Sequence, residues 1–204
     1  MADFILDTDR YFSKSSEYFH QKEYDRAILS AHLSRNGDSD DVIYLNIGMI
    51  YCMKGEYLKA VKNYAISLAM NPKSEKAWNG SGFCWFTLGK YEEAILKFKK
   101  AVEVDSKYTQ SYLNWGLSLY CLKEEAEGAQ IIEEALKKSS LSKETIIERY
   151  ELQLSSAEER LAEATNEEAK ALLKEQINGY QWILEFVSKK MEELEKVDSE
   201  NNDW

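Results

Sequence analysis

The side chains best suited to chemistry are scarce and widely spaced. Histidine, the usual general base and a frequent metal ligand, occurs at His20 and His32 alone, twelve residues apart and with no cysteine near either in sequence. Three cysteines, Cys52, Cys84 and Cys121, are odd in number and far apart, which fits neither a disulfide framework nor the C-x-x-C spacing of a zinc site. Their pattern suits a reducing compartment. No glycine-rich phosphate loop and no serine or cysteine nucleophile signature is present. Carboxylates are plentiful, but they fall at solvent-facing helical positions, where the burial that tunes a catalytic acid or base is missing. The expectation is a protein that is not an enzyme, with no catalytic residue, no metal site and no cofactor. What remains is binding through surfaces.

Those surfaces must be carried by helices. One proline and nine glycines in 204 residues leave little turn chemistry, and 44% hydrophobic with 12% aromatic content supplies a sizeable core. The opening Met1-Ala-Asp-Phe-Ile-Leu-Asp has no basic n-region, and no later run reaches the length of a membrane span. The expected location is cytoplasmic, with no direct membrane insertion. Of the formal charge of -10, residues 143–204 carry most, with 16 acids against 8 Lys and Arg. The remainder is nearly neutral, so the clustered positive charge that nucleic acid requires is lacking, and nucleic acid is not an expected partner.

The sequence repeats itself every 34 residues: Gly48, Gly82 and Gly116 recur at this period, as do Tyr44, Trp78 and Tyr112. Residues 75–108 show the pattern best, with Trp78, Ser81, Gly82 and Trp85, then the turn Leu88-Gly89-Lys90-Tyr91, then Ala94, Phe98 and Ala101. Residues 41–74 repeat it through Tyr44, Ile47, Gly48, Tyr51, Ala60, Tyr64, Ser67 and Pro72, and residues 109–142 through Tyr112, Trp115, Gly116, Leu119, Gly128, Ile132 and Ala135. A weaker copy spans about 8–40. The pattern resembles the tetratricopeptide repeat (TPR) family, Trp-x2-Leu-Gly-x2-Tyr followed by Ala-x3-Phe and Ala, with Ser106 standing where proline is usual. The resemblance implies an all-α fold, a right-handed TPR solenoid of helix-turn-helix repeats over residues 1–142.

In that family the first helices of successive repeats line a concave groove for a segment of a partner protein. Carried over position by position, the resemblance implies a groove of Phe12, Phe19, Leu45, Asn46, Met49, Met53, Lys76, Asn79, Phe83, Phe86, Gln110, Asn114, Leu117 and Tyr120. This surface is apolar, with asparagines at the sixth position of two repeats and Gly80 interrupting the ladder between them. A subset of the family grips acidic chaperone termini with two Asn, two Lys and an Arg. Here Asn46 and Lys76 match, while Phe12, Ser16 and Gly80 hold the other three places, too few donors for a carboxylate. The expected role is an adaptor or assembly factor that binds protein.

After Ser142 the period changes. Ile147, Tyr150, Leu154, Ala157, Leu161 and Ala164 form one heptad seam, and Leu173, Ile177, Tyr180, Leu184, Val187, Met191 and Leu194 form a second. A capping box at Thr165-Asn166-Glu167-Glu168 separates them. The expectation is an acidic antiparallel helical hairpin over 143–197 and a disordered tail over 198–204 ending in Trp204. Tyr180, Trp182, Ile183 and Phe186 widen the apolar face of the second helix into a second contact surface. Its occupant is open at this stage: the last repeat, a partner, or a second copy, in which case the hairpin holds a homodimer or a larger assembly and the groove is self-filled.

Overall fold

The structure, a computed structural model, describes residues 17–18, 21, 23–33, 40–139 and 141–202, with residues 194–202 as backbone alone. Within them the chain is helical and falls into two compact units, divided between Val104 and Asp105. The first unit contains α1 (Tyr24–Leu33), α2 (Asp40–Met53), α3 (Tyr57–Met70), α4 (Glu75–Thr87) and α5 (Tyr91–Val104). The second contains α6 (Thr109–Cys121), α7 (Glu125–Lys138), α8 (Lys143–Glu163) and α9 (Glu167–Asn202).

In the first unit α2 packs on α3 and α4 on α5 as the helix pairs of the second and third repeats, and α3 and α4 join the two pairs. The periodic glycines are where these helices touch. A Cβ on Gly48 would lie 2.8 Å from the Tyr64 ring, and one on Gly82 would lie 2.6 Å from the Phe98 ring. Opposite them Ala60 and Ala94, like Ala27 in α1, are fully buried. The turns between paired helices need a left-handed residue, supplied by Gly55 at φ 81° and Gly89 at φ 73°. Ser74 caps α4, its hydroxyl accepting from the Ala77 N–H at 3.2 Å.

In the second unit α6 and α7 form the fourth repeat pair. Their approach is closer still, since a Cβ on Gly128 would lie 2.6 Å from the Gly116 carbonyl oxygen. The turn position that glycine holds in the earlier repeats is Lys123 here, at φ 68°. One polar tie recurs with the repeat: Asn71 Nδ2 donates to Asp41 Oδ2 at 2.8 Å, and Thr109 Oγ1 donates to Ser139 Oγ at 3.1 Å across the same span of chain.

The hairpin is present as α8 and α9, and α9 also packs on α6 and α7. Three details depart from the sequence reading. The fourth repeat belongs to the same compact unit as the hairpin, not to the first three repeats, because α9 buries a second face against it. The cap of α9 is Asn166, whose side chain accepts from the Ala169 N–H at 2.7 Å, one residue later than the box centred on Thr165. The stretch over residues 198–202 is helical, an uninterrupted continuation of α9 with neither proline nor glycine to stop it; Asp203 and Trp204 lie outside the described residues. Among the described residues no helix is long and apolar enough to cross a membrane.

Candidate functional site

The first helices α2 and α4 lie side by side, which brings the candidate groove positions of the second and third repeats onto one face. Met49 and Met53, one turn apart on α2, are 46% and 59% exposed. Leu45 and Asn46, one turn earlier, are half-buried, and Leu45 packs on the Tyr64 cluster beneath. From α4, Lys76 is exposed while Asn79 and Phe83 are half-buried. Phe86 departs from the expectation. It is a core residue, 2% exposed, its ring 5.4 Å from that of Tyr91 across the α4–α5 turn. Phe12 and Phe19 lie outside the described residues.

Gly80 is more than a missing donor. A Cβ there would sit 2.6 Å from Tyr64 Cζ and 2.8 Å from its hydroxyl, so a ring from α3 already fills the place. An asparagine at this position would have to displace Tyr64, which is 2% exposed. The asparagine ladder is broken by packing.

The same positions in the fourth repeat are occupied by the chain itself. Gln110, Asn114 and Leu117 are buried, and Tyr120 is covered by an indole. The Tyr150 hydroxyl, from α8, donates to Asn114 Oδ1 at 2.8 Å. Gln110 Nε2 donates to Asn114 Oδ1 at 3.1 Å and to the Tyr150 oxygen at 3.2 Å, and the Arg149 guanidinium donates to Gln110 Oε1. Burial pushes the Tyr150 phenol well above its usual range, with Tyr180 adding to the shift. It is therefore a neutral donor at any physiological pH. From α9, Gly179 meets α6 so closely that a Cβ would lie 2.8 Å from Leu117 Cδ1 and 3.4 Å from Cys121 Sγ. Trp182 stacks on Tyr120, ring centroids 4.6 Å apart and planes 19° from parallel, and its Nε1 donates to Glu125 Oε1 at 3.1 Å. Phe186 stacks on the other side of Trp182 at 5.6 Å.

These contacts correct one expectation and narrow another. Gln110, Asn114, Leu117 and Tyr120 are not open to a partner in this structure, and of the occupants left open for the surface of Tyr180, Trp182, Ile183 and Phe186, the last repeat is the one found against it. Tyr180 and Ile183 are core, and Trp182 and Phe186 seat the hairpin on the repeat. Sequence reasoning did not single out Arg149, Gly179 or the Tyr150 hydroxyl for this role. Gly179 carried a signal, since glycine inside a helix costs about 1 kcal/mol against alanine and marks a close approach. Among the described residues no group of three or more His, Cys, Asp or Glu side chains converges as a metal site would require.

Paired helices stacked at a fixed repeat, with a small residue at each crossing, define a helical-repeat fold. No family model matches the chain. It is 27% identical to heat shock protein STI1 of Saccharomyces cerevisiae over 103 residues, which is 50% of this chain and 18% of that protein. The chain spans a fifth to a third of the curated relatives that it matches first. Among solved structures it resembles MamA, with a TM-score of 0.58, 19% identity and coverage of 91% of this chain and 94% of that one. It also resembles the first TPR domain of Spaghetti (RPAP3), there bound to an HSP90 peptide, with a TM-score of 0.52, 22% identity and coverage of 57% and 93%. The likeness is one of fold: the chain has the stacked helix-pair architecture of these tetratricopeptide repeat structures.

Proposed function

We propose that this protein is an interaction adaptor that receives an apolar segment of a partner protein on the first-helix face of the second and third repeats, around Leu45, Asn46, Met49, Met53, Lys76, Asn79 and Phe83. One observation carries the reading: Met49 and Met53 stand exposed on α2, while the equivalent positions of the fourth repeat already hold a protein helix, complete with a donor on the asparagine. That self-contact supports a helix-like protein segment as the kind of ligand this face takes. Methionines are adaptable apolar side chains suited to such a surface, and burial contributes about 25 cal/mol per Å². The curated relatives include a heat shock protein and a peroxisomal targeting signal receptor, and the RPAP3 domain is bound to an HSP90 peptide, which supports a protein ligand. An acidic terminus is disfavoured here, because Lys76 stands without the further donors such a clamp needs, and Tyr64 fills the space that a side chain at Gly80 would take.

A photo-crosslinking residue at Met53 in the full-length chain tests this in the native cell. The expectation is adducts to an apolar segment of another protein, lost when Met49 and Phe83 are replaced by Glu while the helical spectrum stays intact. Adducts confined to this chain, or unchanged by those substitutions, would sink the proposal. The rival reading, a homodimer held by the hairpin, has less to draw on, because Tyr180 and Ile183 are already buried within the second unit. Sedimentation of the full chain as a monomer would remove it.

A further inference from the structure

Two of the three cysteines, separated by a whole helix in sequence, meet in the fold. Cys52 on α2 and Cys84 on α4 belong to one packed cluster with Ala60, Tyr64 and Ala77. Their side chains are hydrogen-bonded to each other, across two neighbouring repeats. Cys84 is fully buried, whereas Cys52, on the same helix as Met49 and Met53, is half-buried. Cys121 is buried in the second unit, against Gly179.

We propose that Cys52 and Cys84 are an oxidation site: a peroxide-class, two-electron oxidant converts the thiol pair to a disulfide that ties α2 to α4 beneath the Met49 and Met53 surface. Access sets the order of events. The Cys52 sulfur, on the less buried residue of the two, attacks a peroxide oxygen; the O–O bond breaks, Cys52 becomes a sulfenic acid, and one water leaves. The Cys84 sulfur then attacks the Cys52 sulfur. The S–O bond breaks, and the Cys84 proton departs with the hydroxyl as a second water. Two thiols lose two electrons and two protons in all, and one peroxide is reduced to two waters. Cys84 is held well above the ordinary cysteine range, first by its hydrogen bond to Cys52 and then by burial. It is therefore not the sulfur that meets the oxidant first, and it gives up its proton only as it attacks the Cys52 sulfenic acid beside it.

The bond would enclose α3 in a covalent loop and remove chain entropy from the unfolded state. It would also fix the spacing of the two first helices that carry Met49 and Phe83. The pair was not legible in the sequence, where the two residues fall at different positions of their repeats.

The test uses the full-length chain, hydrogen peroxide, alkylation and peptide mass spectrometry. The expected product is an intramolecular link between the Cys52 and Cys84 peptides, reversed by dithiothreitol, with the melting temperature of the oxidised chain raised by roughly 5–10 °C. Cys121→Ser should leave the link intact, and Cys84→Ser should leave Cys52 as a sulfenic acid that dimedone traps. Cys52 driven to sulfinic acid in the wild-type chain, disulfides only between chains or to Cys121, or no mass change at a large excess of peroxide would each overturn the proposal.

Discussion

Met49 and Leu117 hold the ninth position of their repeats, yet Met49 is 46% exposed and Leu117 is 2% exposed. Met53 and Cys121 hold the thirteenth position and differ in the same way, at 59% against 4%. The helices that carry them are built alike, each with a small residue at the crossing to its partner helix. The difference arises outside the repeat, from whether another helix arrives. In the second unit α9 arrives, notched at Gly179 to fit, and Tyr150 from α8 meets the asparagine. In the first unit the surface has no such cover among the described residues. In the fourth repeat that face is spent on the chain itself.

The sharpest way to break this comparison is to place the same charge at both positions. Leu117→Glu buries a carboxylate under the hairpin and should lower the stability of the second unit by about 4 kcal/mol or more. Met49→Glu, on an exposed site, should stay within about 0.5 kcal/mol of wild type in the same urea titration. Similar losses at both sites would mean that the first unit is covered as well. Next in size, Gly179→Leu overfills the contact with Leu117 and should cost about 2–3 kcal/mol. It should also red-shift the emission of Trp182 as that ring leaves Tyr120, read with the other tryptophans replaced by Phe.

Tyr150→Phe removes one donor to Asn114 and one acceptor of Gln110, and the groups left behind stay buried. The expected loss is about 1–2 kcal/mol by chemical denaturation. The same variant carries a pH signature. Burial raises the Tyr150 phenol in the fold, so the unfolded chain gives up that proton first, near pH 10. Its contribution is complete below that pH and is lost as pH rises above it. The gap between wild type and Tyr150→Phe should therefore narrow from about pH 10 upward. The smallest effect has the opposite sign. Lys123 takes the left-handed turn position that Gly55 and Gly89 hold in the earlier repeats, and its contact with Glu175 at 3.2 Å is exposed and worth little. Lys123→Gly should stabilise the second unit by about 0.5–1 kcal/mol, and a neutral result would mean that the backbone there is not strained.

Much of this was readable from local pattern. The helix pairs, their turns and the glycine crossings follow from a 34-residue period, because each crossing needs a small residue at a fixed register and the chain supplies it every time. The hairpin was equally legible, since its two apolar seams are long and continuous. The site was less so. Phe86 sits at a groove position by count and yet closes the core beside Tyr91, and Gly80 looked like a gap in a ladder when it is a seat for Tyr64. Position within a repeat fixes which face a side chain leaves from, but not what meets it there.

The sequence by itself determined an all-helical repeat chain with an acidic hairpin and no recognisable catalytic or metal-ligating pattern, since helix periodicity, small-residue spacing and charge are properties of neighbouring residues. Only the tertiary structure decided that the hairpin lies on the fourth repeat, that Tyr150 reaches Asn114, and that Cys52 touches Cys84. Those are contacts between distant segments, chosen by the fit of surfaces such as the notch at Gly179, and no local spacing encodes that fit.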